Sequence, residues 1–228
     1  YPNLQEIPAY FYGHSYGGKW VPTLLYKWLQ SDQFSAVNLS GIIIGNGYVD
    51  ATYQMQFAES AYAFGIINQN QRDYLLEQQE QVHDLYNNGN WSGATLIYND
   101  IVAYLQDVNQ TGGVWNYNYA LYADQTLTVP LEYINFAYAQ TVLSNRSSDV
   151  RSILQIPESV NYAVLSSEVQ TPLLINGDYM NSTIYAIQYL LDQGIDLLLY
   201  AGQFDAGVTY PGVMDYVSAL NWTGAAEF

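Results

Sequence analysis

Apolar positions near the start of the chain follow first one spacing and then another. An apolar run leads to Gly13, and apolar residues between Val21 and Trp28 then recur at intervals of three and four. A second apolar run, over residues 39–44, is rich in β-branched side chains and closes on Gly45-Asn46-Gly47. These patterns predict a strand, a helix and a buried strand, which together form a βαβ unit of a parallel sheet. In such sheets the functional site lies at the carboxyl ends of the strands.

The middle of the chain, residues 49–170, has a different pattern. Apolar stripes of helical spacing dominate it, and one short stretch alternates between aromatic and polar residues. Helices are predicted over residues 70–86, 91–108, 131–143 and 147–154, and an extended segment over residues 115–119. We therefore expect a mostly helical insertion.

The last part of the chain, residues 171–228, returns to the first pattern. A helical stripe over residues 185–193 stops at Gly194, and a buried strand is predicted over residues 195–202. Glycine is common just past the end of a helix. The chain is thus predicted to be an α/β protein in which residues 1–48 and 171–228 form the sheet core around the insertion.

The stretch Gly13-His14-Ser15-Tyr16-Gly17 lies between the first predicted strand and helix. In that context G-x-S-x-G predicts a nucleophile elbow, a tight turn that lifts the Ser15 hydroxyl above the sheet. Its glycines let strand and helix approach closely, and the helix N-terminus favours the negative charge of a tetrahedral intermediate. The Tyr16 N–H is the expected oxyanion donor. A chance match is the alternative, because the five-residue pattern alone is weak.

Asp205 follows the carboxyl end of the last predicted strand. A hydrolase with this elbow places its histidine-orienting carboxylate there, although a simple turn aspartate would look the same. The base is missing, because the chain has two histidines, His14 and His83, and neither follows Asp205. His14 is adjacent to Ser15 on a sharp turn and cannot easily reach its hydroxyl. His83 is predicted to be a surface or partly packed helical residue.

Composition narrows the choice of partners. The net charge of −16 makes nucleic acid and anionic membranes poor partners. The 24 tyrosines and 5 tryptophans exceed what a core needs, so some are expected at a cleft or an interface, and a homodimer is left open. Cysteine is absent, so redox compartment cannot be inferred. We expect no metal and no cofactor.

Six N-x-S/T patterns favour the secretory pathway. Asn38 heads into an apolar run and is the poorest acceptor, which leaves five candidates: Asn90, Asn109, Asn145, Asn181 and Asn221. No stretch is long and apolar enough to span a bilayer. The expected location is secreted, lysosomal or vacuolar.

Taken in order, several segments resemble the serine carboxypeptidase family of α/β-hydrolases, loosely between about residues 60 and 140. They are Lys19-Trp20-Val21-Pro22 after the elbow, Asn38 to Ile42 with Gly45-Asn46-Gly47, Gly177-Asp178-Tyr179-Met180, Leu190 to Gly194, Tyr200 to Asp205, Pro211-Gly212 and Leu220-Asn221-Trp222. The resemblance implies an incomplete, doubly wound α/β-hydrolase sheet with a mostly helical cap insertion.

The family also implies roles for individual residues. Ser15 would be the nucleophile, Asp205 the triad acid, and the Tyr16 N–H part of the oxyanion hole. His14 and Asn46 are expected to bind a peptide substrate. An N-terminal part, and a C-terminal part that carries the triad histidine beyond Phe228, are expected to complete the site.

Two departures from the family pattern matter. The family normally has glutamate before the serine, where it helps bind the substrate's terminal carboxylate, and this chain has His14. The cysteine that usually follows the catalytic aspartate is absent. Three functions therefore stay open: a serine carboxypeptidase acting through an acyl-enzyme, an ester or acyl-transfer hydrolase of the same fold, and an inactive, glycosylated binding or structural relative.

Overall fold

The computed structural model of the chain describes residues 5–31, 37–113, 118–120, 149–161, 163 and 166–228. Its elements up to residue 111 are β1 (Ala9–His14), α1 (Gly17–Leu29), β2 (Leu39–Gly45), α2 (Ala51–Gln54), α3 (Phe57–Ala63), α4 (Gln69–Asn87), α5 (Trp91–Gln106) and α6 (Val108–Thr111). They are followed by α7 (Asp149–Ile153), α8 (Ser167–Ile175), a 3₁₀ helix (Asp178–Met180), α9 (Ile184–Asp192), β3 (Asp196–Tyr200) and α10 (Tyr210–Ser218).

The chain divides into two compact units. The first combines Tyr1–Ala123 with Gly177–Phe228 and holds all three strands, and the second is Asp124–Asn176. In the second unit the buried guanidinium of Arg151 donates to the carbonyl oxygens of Pro157 and Val160, both at 2.8 Å. This contact closes the turn that follows α7.

The three strands form one parallel sheet in the order β1-β2-β3. Gly13 on β1 is opposite Ile44 on β2, and Ile44 is opposite Leu199 on β3. The predicted βαβ unit and the predicted later strand are therefore confirmed. All three strands end at the same edge of the sheet, which is where the sequence predicts the functional site.

Helix α1 covers one face of this sheet, and Gly13 permits the close approach. A Cβ on Gly13 would lie 2.6 Å from the Gly17 carbonyl oxygen. Phe11 meets Trp28 of α1 on the same face, with ring centroids 5.4 Å apart. Helix α9 packs against α1 in turn. The opposite face of the described sheet is open, and its apolar side chains are exposed: Tyr10, Tyr12, Leu198 and Tyr200.

The two longest helices were correctly predicted. Residues 70–86 lie within α4, and α5 begins at the predicted Trp91 but ends at Gln106, two residues early. It ends there because Asp107 is extended and caps α6 instead, accepting from the Asn109 N–H at 2.8 Å. The predicted helix 185–193 corresponds to α9, one residue earlier at each end.

Several shorter helices were missed. Helix α2 has only four residues, too few for a periodic stripe, and its signal is the cap. The Asp50 carboxylate accepts from the N–H groups of Thr52 and Tyr53 at 2.8 and 3.2 Å. Such a cap satisfies N–H groups that the first turn leaves free. The other helices that the sequence analysis missed are α3, α6, α8 and α10.

Parts of the predicted insertion lie outside the described residues. Among the predicted elements, these are residues 131–143, residues 147 and 148 of the helix 147–154, and all of residues 115–119 except Asn118 and Tyr119. The helix predicted over 147–154 is confirmed for Asp149–Ile153. Between residues 49 and 170 the described part of the chain contains helices and turns but no strand. The division at residues 48 and 170 stays a prediction.

Two glycines with left-handed backbones allow a test of close packing. Gly177 has φ 69° and a Cβ there would lie 2.5 Å from Trp91 Cβ, whereas Gly194 has φ 76° with open space around it. Gly194→Ala should cost only the backbone strain, about 1–2 kcal/mol. Gly177→Ala should cost at least about 1 kcal/mol more, because the added methyl group overpacks the contact. Urea unfolding of the two variants measures the difference. Equal losses would mean that the contact with Trp91 relaxes freely.

Candidate active site

Ser15 lies on a sharp turn that is hydrogen-bonded to the end of β2. Its φ of 55° is in the left-handed region, which is uncommon for a residue with a side chain. The Ser15 N–H donates to the Gly45 carbonyl at 3.1 Å, and the Ser15 carbonyl accepts from Tyr48 N at 2.8 Å. The residue is exposed. The turn therefore has the strained, outward-facing form of a nucleophile elbow.

Helix α1 begins directly after this turn. Tyr16 is its N-cap residue, with φ −60° and ψ −14°, and Gly17 is its first helical residue. The N-terminus of a helix presents unpaired N–H groups and a partial positive charge. An oxyanion formed at the carbon that Ser15 attacks would meet this end of the helix.

Asn46 connects the end of β2 to the end of β3. Like Ser15 it has a left-handed backbone, with φ 42°. Its N–H donates to the Tyr200 carbonyl at 2.8 Å, and its Oδ1 accepts from Gly202 N at 3.3 Å. Its Nδ2 donates to Asp205 Oδ2 at 2.6 Å. The sequence assigned Asn46 to substrate binding, which stays a prediction. Its side-chain amide also orients the predicted acid, a contact that sequence reasoning missed.

The Asp205 carboxylate is buried and held on three sides. Its Oδ1 accepts from the backbone N–H groups of Gly207 at 2.8 Å and Val208 at 2.9 Å. Its Oδ2 accepts from Asn46. Each carboxylate oxygen has about two acceptor positions, so Oδ1 is saturated and Oδ2 has one position left. A histidine N–H would therefore be accepted by Oδ2.

Burial is the main influence on the charge of Asp205 and raises the pKa of its carboxyl above the usual value. The N–H groups of Val208 and Gly207, the amide of Asn46 and the positive charge of His14 act in the opposite direction. His14 is exposed at the end of β1. The two residues thus interact electrostatically at the same edge of the sheet. The other histidine, His83, is half-buried on α4.

The Asp205 charge also affects two tyrosines that sequence reasoning did not single out. Burial is the main cause that raises the pKa of Tyr119 to about 12 and the pKa of Tyr98 well above 10, and the Asp205 charge contributes to both. The Tyr119 N–H donates to the Phe204 carbonyl at 2.8 Å, and the Tyr119 ring stacks on Phe64 at 4.7 Å. The only signal for these aromatic residues in the sequence was the large number of tyrosines.

Four of the five predicted glycosylation sites are described and exposed: Asn90, Asn109, Asn181 and Asn221. Asn145 lies outside the described residues. Within the described ranges, no cluster of three or more histidine, aspartate or glutamate side chains could hold a metal ion. No described helix is both long and apolar enough to cross a membrane.

A family model for serine carboxypeptidases matches residues 1–228, the whole chain. This chain belongs to the serine carboxypeptidase family. The resemblance noted from the sequence is thereby confirmed, as is the α/β fold class, of which the three-stranded parallel sheet is an incomplete part.

Individual serine carboxypeptidase relatives are distant in sequence. "Serine carboxypeptidase-like 50" of Arabidopsis thaliana is 28% identical over the whole of this chain, which covers 48% of that relative. "Venom serine carboxypeptidase" of Apis mellifera is 25% identical, with 100% of this chain and 48% of the relative covered. The chain thus spans about half the length of these two relatives.

A solved structure has the same fold. It is described as Kex1(Δ)p, a prohormone-processing carboxypeptidase from Saccharomyces cerevisiae, and it superposes with a TM-score of 0.73 at 20% identity. The match covers 98% of this chain and 50% of that chain. At this identity the likeness establishes the fold alone.

The bond between Asn46 and Asp205 predicts a pH-dependent loss of stability. Asn46→Gly removes the amide while tolerating the left-handed backbone. Without that donor the pKa of Asp205 should rise further above its unfolded value. Stability linked to a raised carboxyl pKa is present at low pH and is lost as pH rises through that pKa. Relative to the wild type, Asn46→Gly should therefore be less stable at pH 7 than in acid by about 1.5–3 kcal/mol. The strain that glycine relieves at this left-handed position is the same at both pH values and cancels from this difference.

Urea unfolding at pH 7 and in acid measures this difference. Asn109→Ala is the matched control, since the Asn109 amide donates to the Asp107 carboxylate at 3.1 Å on the surface. Exposed pairs of this kind contribute little. A cost for Asn46→Gly that is the same at both pH values would show that the amide does not stabilise the charged carboxylate.

Proposed function

We propose that the chain carries the nucleophile and the acid of a serine carboxypeptidase that releases C-terminal residues from peptides. The observation that supports this most directly is the elbow at Ser15, hydrogen-bonded to Gly45, beside the Asn46 amide that holds Asp205. The serine and the carboxylate thus belong to one hydrogen-bonded edge of the sheet.

In the proposed reaction the Ser15 hydroxyl attacks the carbonyl carbon of the last peptide bond. The Tyr16 N–H stabilises the oxyanion, the C-terminal residue leaves with a proton, and an acyl-enzyme forms on Ser15. Water then attacks the acyl-enzyme and gives up a proton to the base. The base returns a proton to the Ser15 oxygen, and the shortened peptide leaves as a carboxylic acid. Enzymes of this class need a histidine to move these protons.

That base is a histidine contributed by a part of the full-length protein outside these 228 residues. Asp205 would accept its N–H at the remaining position on Oδ2 and so hold the ring in one tautomer. Neither histidine of this chain suits the role: His14 is adjacent to Ser15 on a sharp turn and cannot easily reach its hydroxyl, and His83 is on α4. The same outside parts are proposed to be the structural partners of the open sheet.

His14 is the proposed contact for the terminal carboxylate of a peptide. It is exposed at the end of β1, and its charge acts on Asp205. An ester or acyl-transfer hydrolase is the second candidate, because the residue before the serine is histidine where a carboxypeptidase normally has glutamate. Comparison of peptide and ester turnover by the same preparation separates the two functions.

A secretory location is proposed, in a secreted, lysosomal or vacuolar compartment. Its support is the set of five glycosylation patterns, four of them on exposed asparagines. Mass spectrometry of the protein from its natural source should find glycans on at least two of the five. Finding all five asparagines unmodified would refute the secretory location.

Labelling with a fluorophosphonate probe tests the nucleophile. Ser15 should be the only serine of the full-length protein that reacts, and Ser15→Ala should abolish labelling. Asp205→Asn should slow labelling strongly, by up to about 10⁴-fold, because losing a triad carboxylate leaves the histidine in the wrong tautomer.

The matched control for that change is Asp215→Asn. Asp215 also accepts from a side-chain amide, that of Gln56 at 2.7 Å, but on the exposed surface. Its labelling rate should equal that of the wild type. If the full-length protein fails to label at all, the third alternative, an inactive binding or structural relative, replaces the proposed enzyme.

Replacement of His14 tests the carboxylate contact. A glutamate must be protonated to pair with a carboxylate, and the unperturbed pKa of glutamate is about 4.3. As a class, imidazoles carry their positive charge up to a higher pH than carboxyls keep their proton. His14→Glu should therefore shift the pH range of low KM for peptides toward acid, with little change for a neutral ester.

Steady-state kinetics between pH 4 and 8 check this shift, with His83→Glu as the control for the same chemical change on α4. An unchanged KM profile in His14→Glu would remove His14 from the substrate site.

A further inference from the structure

Tyr16, the residue that follows Ser15, is hydrogen-bonded to a turn that is far away in sequence. The Tyr16 hydroxyl donates to Asp178 Oδ2, on the 3₁₀ helix Asp178–Met180. This bond is part of neither the nucleophile nor the acid described above. It matters because the Tyr16 side chain and the Tyr16 N–H, the proposed oxyanion donor, extend from the same residue.

The same turn also binds Lys19, one helical turn further along α1. The Lys19 ammonium donates to the Asn181 carbonyl and lies 5.1 Å from the centre of the Tyr48 ring. Only 3% of Lys19 is exposed. Burial lowers the pKa of Lys19 to about 8, and the charges of Asp178 and Asp50 limit that drop. Asp178 therefore faces both a hydroxyl donor and a cation of α1.

Aromatic rings complete the contact. The Tyr16 ring lies 5.1 Å from Tyr179 and 5.3 Å from Trp20, measured between centroids. Gly177 brings the turn close to α5, because a Cβ there would clash with Trp91. The position of Asp178 is thus fixed by packing from its own turn and from α5.

The first turn of helix α1 has few restraints from its own side chains. Its N-cap residue Tyr16 makes no side-chain capping bond of its own, and its first two helical residues are Gly17 and Gly18. Capping bonds normally fix the first turn, and glycine leaves the backbone freer than any other residue. The Tyr16 N–H lies in the same peptide plane as the Ser15 carbonyl, which accepts from the N–H groups of Gly18 and Tyr48. The bond from the Tyr16 hydroxyl to Asp178 restrains the same residue through its side chain and so adds to the orientation of that N–H.

We propose that Asp178 is a positioning residue for the oxyanion hole, acting through the Tyr16 hydroxyl to aim the Tyr16 N–H at the reacting carbonyl oxygen. This inference rests on the proposed function. It gives a role to Asp178, a residue that has none in the proposed function. An oxyanion develops only in the transition state, so the loss should fall on kcat more than on KM.

The test measures phosphonylation of Ser15 in the full-length protein, together with kcat and KM for an ester substrate. Asp178→Ala and Tyr16→Phe each remove one end of the bond. Each should slow phosphonylation and lower kcat by about tenfold, less than the loss of an oxyanion donor itself, with KM changed by less than about threefold. Asp178→Asn keeps an acceptor for the hydroxyl and should recover most of the rate.

The double variant Tyr16→Phe/Asp178→Ala should be no slower than the slower single variant, because both changes remove the same bond. Asp192→Ala is the matched control. The Asp192 carboxylate also accepts from a hydroxyl, that of Thr223 at 2.6 Å, but at the end of α9. Its rate should match the wild type.

Three outcomes would overturn the proposal. They are a rate for Asp178→Ala equal to that of Asp192→Ala, losses that multiply in the double variant, and an effect confined to KM. A wild-type protein that does not label at Ser15 would instead refute the proposed function, and with it the inference. kcat is calculated from the concentration of labelled active sites, so an unfolded fraction of a variant lowers the number of sites and leaves kcat comparable.

Discussion

The hydrogen bond from the Ser15 N–H to the Gly45 carbonyl joins the turn after β1 to the end of β2. Asn46, the residue that follows β2, then binds the Asp205 carboxylate, which follows β3. Parallel strands bring their carboxyl ends to one edge, so these three turns meet although they are far apart in the chain. If the pairing register of the three strands shifted, Ser15 and Asp205 would no longer lie side by side at this edge. The site therefore depends on strand pairing before it depends on any single side chain.

Hydrogen bonds and close packing hold two strained residues in place at this edge of the sheet. Ser15 and Asn46 both have left-handed backbones, which cost of order 1–3 kcal/mol each and persist where the surroundings determine them. Here the surroundings are backbone bonds to Gly45 and Tyr200 and the tight contact of α1 with β1 at Gly13. Strained residues at two adjacent strand ends are typical of a preorganised site. The free-energy cost of the strain falls on folding and not on the reaction.

Membership of the serine carboxypeptidase family and the fold are established independently of activity. The chain covers 48% of the relative from Arabidopsis thaliana, so the origin of the base and the cover of the open sheet face belong to the proposed function. The buried charges of Asp205 and Lys19 and the half-buried charge of Asp178 all have hydrogen-bond partners among the described residues. Buried charges without partners would have been costly.

Local patterns in the sequence determined the strands, the helices α1, α4, α5, α7 and α9, the turn at Ser15 and the position of Asp205 after a strand. Each of these follows from spacing within one stretch of chain. Helices α2 and α6 were missed because four residues carry too little periodicity. Only the tertiary structure decided that Asn46 binds Asp205, that the Asp205 charge acts on Tyr98 and Tyr119, and that Asp178 and Asn181 bind Tyr16 and Lys19. These contacts join residues from distant parts of the chain, and their partners are chosen by how the elements pack, which no single stretch of sequence encodes.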